Sequence, residues 1–578
     1  MPGRWRAVRG CRTTTRPLCR NPVAGHGAGP PGRAGRTPGR RARARTYPAP
    51  VRRRPRGHHR RAGRPRRLDH RRYPGHQTEC RHPRPRIPRG GHGLQHPGVR
   101  GTTGHPDFNT RRRQRRLIVL KRIAPLCLAP LIGGTALAAD DTANGWYTQG
   151  DFTPTQRVRL TISNPLDRAR ENSPVIITRE QLAALPDVHE LSITLVDPQG
   201  ESRPEPTPEH FNRQGGHSSR KETHGRWIPY QLDDLDKDGL WDELFFMTDL
   251  DGGESKDLYL YLGDQHYGWE AHRTHAGIGT YVRHNVPFWE SENIGWKLWF
   301  ATDIDVFGKR EPVLMSQHLY MDNLDGYGVG LVDPAWGSDI MQVNNSFGGG
   351  GIGVFEDDDN PNVVSRSRYT PQGPDDTGFN AGPAGDSRYA YTVLVNGPIR
   401  SMVQAKTMNW DSGAGEYEYE QVYTAYAGHS FATSRVTYST FEPDNAGTDF
   451  AVGIRKHVGE DHHYQDGGVV ISGAPEAIRN LDDEGLREND LFVDYVGTAL
   501  VVPKRYAPEY VYVPGFSENH AYRIEPNAER TFEYLIAAGW SDGVVNQTPE
   551  EFQDYVLTVA EEFNAPVQFG GAVLESKD

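Results

Sequence analysis

Glu416-Tyr417-Glu418-Tyr419-Glu420 alternates charge and ring with a period of two. Successive side chains of an extended strand leave on opposite faces, so this stretch puts glutamates on one face and tyrosines on the other. The same signature recurs outward from it. Val158-Arg159-Leu160-Thr161-Ile162, Leu258-Tyr259-Leu260-Tyr261-Leu262 and Tyr389-Ala390-Tyr391-Thr392-Val393-Leu394-Val395 are β-rich runs bounded by Gly, Pro, Asn and Asp. Further strands are expected over 491–502, 510–513 and 531–537. One helix stands out: Thr548 caps it, Pro549 occupies its first position, and Phe552, Tyr555, Val556, Val559 and Phe563 recur at helical spacing. A shorter helix is expected from Thr178, over 180–184. Many strands with few helices imply a mostly β protein: a large antiparallel β-sandwich, or two stacked sandwiches, with a C-terminal helix.

Charge divides the chain. The 578 residues carry 67 Lys+Arg and 74 Asp+Glu. Residues 1–116 hold 33 Arg, no Lys and three acids, which leaves 32 basic and 71 acidic residues after position 138. An acidic body of that kind repels phosphate, so a nucleic-acid partner is excluded, and any anionic ligand needs local Arg or Lys. Segment 1–116 has no periodicity and too few apolar residues to offset its ordering entropy, so it is expected to be disordered. Arg without Lys is what an unselected frame of G+C-rich DNA encodes, so the segment reads as translated upstream sequence from a start codon placed too early.

A signal peptide is expected over 117–138. Arg115-Arg116 and Lys121-Arg122 precede an apolar run from Ile123 to Leu137, and Ala136-Leu137-Ala138 offers small residues for cleavage. The mature protein, beginning at Ala139, is then periplasmic or secreted and spans no membrane. All four cysteines (Cys11, Cys19, Cys80, Cys127) lie before that point, which removes disulfides, thiolate metal sites and cysteine nucleophiles from the mature part. A soft boundary near 265 separates an N-terminal β part, 139–265, from a larger β part, 266–578.

Three motifs carry chemistry. Asp234, Asp236, Asp238 and Asp242, with Gly239 between them, have calcium-loop spacing, so a structural Ca2+ is expected there; Phe245 stands where an EF-hand has its bidentate Glu, which favours a loop between strands. Trp289-Glu290, Trp296, Trp299 and Asp303–Arg310 combine sugar-stacking rings, acids, and the basic pair Lys309-Arg310 that would clamp a carboxylate. Trp336-Gly337-Ser338-Asp339 leads into Gly348-Gly349-Gly350-Gly351-Ile352-Gly353. That run matches a dinucleotide pattern formally, but it lacks a βαβ context and reads as a turn allowing close backbone approach. No nucleotide cofactor is expected. His284, His318 and His457 fall in or near expected strands and are candidate acid–base groups. No Walker or H-E-x-x-H motif occurs.

Asp242-Glu243-Leu244, Asp305-Val306-Phe307-Gly308-Lys309-Arg310 and Trp336-Gly337-Ser338-Asp339-Ile340 followed by Ser346-Phe347-Gly348 occur in this order. Together they resemble domain-of-unknown-function family 4861, over roughly 155–570. The resemblance implies an exported bacterial protein of uronate-polysaccharide breakdown, similar to an oligosaccharide dehydratase acting on the non-reducing-end uronate of ulvan fragments, with a galactose mutarotase-like β-supersandwich fold. Such a carbon–oxygen lyase removes the proton at C5 and expels the C4 hydroxyl, leaving a C4=C5 double bond. Lys309 and Arg310 would neutralise the uronate carboxylate. His318, Tyr320 or His284 would take the proton, and Glu290 or Tyr327 would protonate the leaving group. Trp289 and Trp336 would stack on the sugar, with Asp339 and His284 hydrogen-bonding it. The same parts would serve a polysaccharide lyase. A hydrolase using Glu290 and Asp339, a mutarotase-like isomerase and a non-catalytic acidic-sugar-binding protein are the alternatives.

Overall fold

The computed structural model describes residues 145–183, 193–204, 221–263, 271–281, 284–299, 301–320, 337–341, 343, 345–368, 379–380, 386–478, 491–515 and 517–577. Segment 1–116, the expected leader 117–138, Tyr327 and Trp336 lie outside them. The described residues are dominated by antiparallel strands, as the alternating runs require. Tyr417 and Tyr419 are buried while Glu416 is exposed, so the period-two reading holds residue by residue.

Two sandwiches are built from these strands. The smaller packs a five-stranded sheet, in the order Gln568–Ser576, Gln156–Ser163, Ser255–Leu262, Ile193–Asp197 and Arg226–Trp227, on a three-stranded one of Arg170–Thr178, Glu243–Leu250 and Tyr230–Asp233. Its core contains Val158, Leu160, Ile162, Val175, Ile177, Leu244, Phe246, Leu258 and Leu260. A one-residue slip of Gln156–Ser163 would take Val158, Leu160 and Ile162 out of that core, a loss of about 5–9 kcal/mol, which pins the register. The strand Gln568–Ser576 pairs with Gln156–Ser163 along its length. The N-terminal sandwich is therefore assembled from two distant pieces of sequence, because the edge of Gln156–Ser163 needs a partner that 145–265 does not supply.

The larger sandwich has an eight-stranded sheet, in the order Arg388–Asn396, Arg400–Asp411, Gly415–Tyr426, Phe431–Pro443, Thr531–Trp540, Leu491–Val501, Val469–Ile478 and His462–Asp466. One face of it covers two further sheets. The five-stranded one runs Thr274–Tyr281, His284–Ser291, Ile294–Trp299, Asp303–Lys309, Gly337–Asp339; the six-stranded one includes Gly351–Phe355, Asp449–Arg455, Asn519–Ile524 and Glu509–Val513. Trp289, Trp296, Ile304, Val306, Val354, Val452, Tyr417, Tyr423, Phe532 and Ile536 share the core between them. This is the expected supersandwich. The other face of the eight-stranded sheet carries the helix Pro549–Asn564, which buries Phe552, Val556, Val559 and Ala560. Thr548 Oγ1 accepts from Glu551 N at 3.2 Å, the expected cap. The shorter expected helix is a single 3-10 turn, Glu180–Leu182.

Arg400 ties the two sandwiches together. Its buried guanidinium donates to Asp233 and, at 2.7 Å, to Glu243, while Gln231 Oε1 accepts from the backbone of Ile399 (2.9 Å) and Arg400 (2.7 Å).

Gly348 and Gly350 adopt φ of +60° and +144°. A Cβ on Gly348 would stand 2.1 Å from the Ile304 carbonyl oxygen. The close approach expected of this run is thus made, but to the neighbouring strand, joining the five- and six-stranded sheets.

Candidate functional site

The five-stranded sheet of the larger sandwich has two buried faces. Every residue of Asp303–Lys309 is buried. Period-two alternation sends Ile304 and Val306 to the apolar core and Asp303, Asp305, Phe307 and Lys309 to the other side. Register brings Lys297 opposite Asp305, Phe307 opposite Asp339, and His275 opposite Glu290. The second face is therefore a row of buried charges, and each must be paired.

Glu290 and Lys309 are fully buried and joined by an ion pair. Lys309 Nζ also donates to the carbonyls of Ser291 (2.5 Å) and Val313 (2.7 Å). Glu290 also accepts from Met315 N (3.0 Å) and Ser316 N (2.9 Å), and His275 Nδ1 lies 3.5 Å away. Burial would raise the Glu290 carboxyl, but Lys309, His275 and the Met315 N–H outweigh it and hold it down at about 2. These two residues lock a strand to the turn at 313–316, so the roles expected of them as acid and carboxylate clamp have no free hydrogen-bonding capacity behind them.

Arg310 leaves Lys309 for the other side: it donates to Asp542 at 3.1 Å and stacks its guanidinium 4.8 Å from the Trp540 ring centre. The expected Lys309-Arg310 clamp is therefore split. Trp289 is fully buried, with its ring stacked 4.0 Å from that of Tyr423 and parallel to Trp296. A sugar cannot reach that ring, and this tryptophan belongs to the core. His318 is exposed on the short helix Ser316–Tyr320. Tyr320 ends that helix and His284 begins the strand His284–Ser291; their side chains, like Trp336, lie outside the described residues.

Asp339 joins Asp305 and Lys297. Lys297 Nζ lies 2.7 Å from Asp305 and 3.9 Å from Asp339. Burial and the Asp305 charge push the Asp339 carboxyl well above the ordinary range, with Lys297 opposing. Lys297 is thus the buried cation between these two carboxyls. Alongside, Asp303 accepts from Arg366 Nη1 and Arg368 Nε, each at 2.8 Å.

The Asp-rich loop connects Tyr230–Asp233 to Glu243–Leu250, between strands as its spacing implies. Carboxylate oxygens of Asp234, Asp236 and Asp242 lie within 4.8 Å of one another. Asp238 is outside that group and accepts from Leu240 N at 2.7 Å. Asp242 Oδ2 accepts from Leu235 N at 2.6 Å and Asp234 Oδ2 from Gly239 N at 3.0 Å, so the turn consumes part of the acids' acceptor capacity.

A second polar cluster sits where the six-stranded sheet meets the edge of the eight-stranded one. Glu460, on the turn after Asp449–Arg455, receives His520 Nε2 at 2.8 Å, and its other oxygen lies 3.7 Å from His463 Nδ1. The rings of His463 and His520 stack at 4.6 Å, and Tyr510 OH is 2.7 Å from His520 Nδ1. Ser472 Oγ donates to Glu460 and accepts from His457 N at 2.9 Å. Behind them His457 is buried between Glu476 and Thr498, each 3.3 Å from one ring nitrogen. Lys456 pairs with Glu518 at 2.9 Å on the outer side. Burial raises the Glu460 carboxyl, but the hydrogen bonds from His520 and Ser472 outweigh it and leave it below the usual range, a standing carboxylate. Burial and the Glu460 charge raise the Tyr510 hydroxyl, which keeps its proton. The back of the cluster is buried, while His463 faces solvent with its side chain 39% exposed. The cluster therefore presents imidazole, carboxylate and phenol groups together at a surface open to solvent.

Only His457 of this group stands out from local pattern. The dense run Lys456-His457-Val458-Gly459-Glu460-Asp461-His462-His463 is the signal that could have drawn attention, but His520 and Tyr510 arrive from other strands.

The model of a Domain of unknown function (DUF4861) matches residues 213–569. The chain belongs to this family. The DUF4861 region takes in the Asp-rich loop, the charged sheet face and the histidine cluster alike. Among curated proteins nothing matches the chain. Similar solved structures include an alpha-mannosidase from Enterococcus faecalis V583, 11% identical, with a TM-score of 0.36, covering 73% of this chain and 46% of that one. Another is a protein in the glycosyl hydrolase family 38 from Enterococcus faecalis, 10% identical, with a TM-score of 0.35, covering 76% and 49%. The DUF4861 chain thus spans about half the length of each.

Proposed function

We propose that this DUF4861 protein is a carbohydrate-active enzyme performing β-elimination on the non-reducing-end uronate of acidic oligosaccharides, with its proton transfers made at the histidine cluster. The observation that carries this reading is the grouping of Glu460, His463, His520 and Tyr510 at one solvent-facing edge. Elimination requires a base at C5 and an acid at the C4 oxygen. His463, the open imidazole, takes the C5 proton; the electron pair of that bond forms C4=C5; the C4 oxygen leaves as water with a proton from Tyr510, which His520 and Glu460 hold in place. A sugar leaving at C4 instead of water makes the same site a polysaccharide lyase.

The pairing of acids argues against a hydrolase. Of the two acids a hydrolase would use, Glu290 is locked to Lys309 and Asp339 lies with Asp305 beside the buried Lys297. Export of the protein past residue 138 and a structural Ca2+ at the Asp-rich loop belong to the same reading as proposals.

The test is ultraviolet absorbance of ulvan, pectin, alginate and glucuronan fragments incubated with the protein. A rising band from the conjugated C4=C5 bond supports elimination, and mass spectrometry separates water loss from chain scission. A flat trace with every substrate, or an undiminished rate in His463→Ala, overturns the reading.

A further inference from the structure

Glu460, His463 and His520 each offer one ligand-type atom, and these atoms all lie within 4.8 Å of one another. The separations are 2.8 Å between Glu460 and His520 and 3.7 Å between Glu460 and His463. Ligands on a tetrahedral zinc ion at about 2.0–2.1 Å stand about 3.3–3.5 Å apart, a spacing that these two separations bracket. We infer that these three side chains form a binding site for one divalent transition-metal ion of the zinc class.

The donor chemistry selects that class. Two imidazole nitrogens and one carboxylate suit zinc and its neighbours, whereas calcium and magnesium take oxygen shells. Glu460 is held in place by the Ser472 hydroxyl, which donates to it. The groups around the first ligands also fit. A ligating imidazole must present a lone pair, and its tautomer is set by the bond its other nitrogen makes. His520 Nε2 now donates to Glu460; binding the ion would require the tautomer with the proton on Nδ1, which then donates to Tyr510 OH 2.7 Å away and is held by it. Three protein ligands with exposed His463 leave a coordination position open to solvent, the arrangement of a reactive rather than a purely structural site. The inference rests on the proposed reaction only for the cation's task, and it changes one role there: with its Nδ1 lone pair on the ion, His463 would hold the metal, and the C5 proton would go to a hydroxide in the open coordination position. After position 138 acids outnumber bases 71 to 32, and a bound dication supplies the local positive charge that an anionic sugar needs.

The experiment uses the full chain, stripped with chelator, dialysed and titrated with Zn2+ alone by calorimetry. Co2+ absorption serves as a second readout. One tight ion per chain is expected. His463→Ala and His520→Ala weaken it by more than about 100-fold, and Tyr510→Phe weakens it by about 10- to 100-fold. Asp236→Asn with Asp242→Asn leaves zinc binding unchanged. His463 is exposed, so its alanine variant is expected to melt like the wild type, which separates ligand loss from misfolding. Zinc taken up by the histidines or by Cys11, Cys19 and Cys80 of segment 1–116 is recognised because His463→Ala does not alter it. Absence of a tight ion, or a tight ion that persists in His463→Ala with its cobalt spectrum unchanged, overturns the inference. Zinc bound at this site beside a flat elimination trace supports the metal site and overturns the reaction; elimination at full rate in protein with no tight zinc site does the reverse.

Discussion

Replacing Lys309 by Met would leave the Glu290 carboxylate buried without its cation, while Met315 N, Ser316 N and His275 stay in place. Breaking a buried pair from one side costs about 3–5 kcal/mol, mostly the penalty of the stranded charge. At about 2 °C per kcal/mol for a domain of this size, the melting temperature should fall by about 6–10 °C. Burial also pulls the Lys309 ammonium below its ordinary value despite Glu290, so the intact pair is worth far less than the cost of breaking it. The double variant Glu290→Gln with Lys309→Met should therefore recover more than half of the loss, since Gln still accepts from a backbone N–H. The pH dependence has a definite sign. A carboxyl depressed to about 2 in the folded protein stabilises it above the unfolded value of 4.5, and that contribution disappears as pH falls toward 2. The span corresponds to about 3 kcal/mol. The gap between wild type and Lys309→Met should thus be widest near neutral pH and narrow through this acid window, as followed by thermal or urea melts. A loss below about 1 kcal/mol, a double variant as unstable as the single one, or a gap that widens on acidification would refute the account.

Arg400→Met should cost about 3–5 kcal/mol by stranding Asp233 and Glu243; two separated unfolding transitions in calorimetry would show the sandwiches uncoupling, and an unchanged melt would sink the idea. Thr548→Ala removes the cap of Pro549–Asn564 and should lower stability by about 1 kcal/mol in urea titrations, whereas Thr548→Ser should be near neutral. Gly348→Ala drives a Cβ onto the Ile304 carbonyl at φ +60° and should yield poorly folded protein, scored by soluble yield and near-ultraviolet circular dichroism.

The fold was legible wherever one face of a strand is wet. Gly415–Tyr426 and Gln156–Ser163 announce themselves by alternation, and Pro549–Asn564 by its cap and its 3.6-residue period. The site was harder to read for two physical reasons. Asp303–Lys309 is buried on both faces, so its Asp and Lys residues look like a surface motif in one dimension although they are paired inside. Trp289 is the same case: a ring that would stack on a sugar equally well stacks on Tyr423. The histidine cluster draws on a turn, the edge strand His462–Asp466 and the strands Asn519–Ile524 and Glu509–Val513, and no linear spacing encodes a meeting of four elements.

The pairing of Gln156–Ser163 with Gln568–Ser576 sets a timetable for synthesis. Arg157 finds Glu575 across 418 residues of sequence. A chain emerging from the ribosome exposes the long edge of Gln156–Ser163 for nearly the whole of translation, with the hairpin-connected sheets of the larger sandwich able to form first. The smaller sandwich must wait as an unclosed template, open to pairing with a neighbouring nascent chain. Arg157 and Arg159 on that edge provide the charge that discourages such pairing until the glutamate arrives.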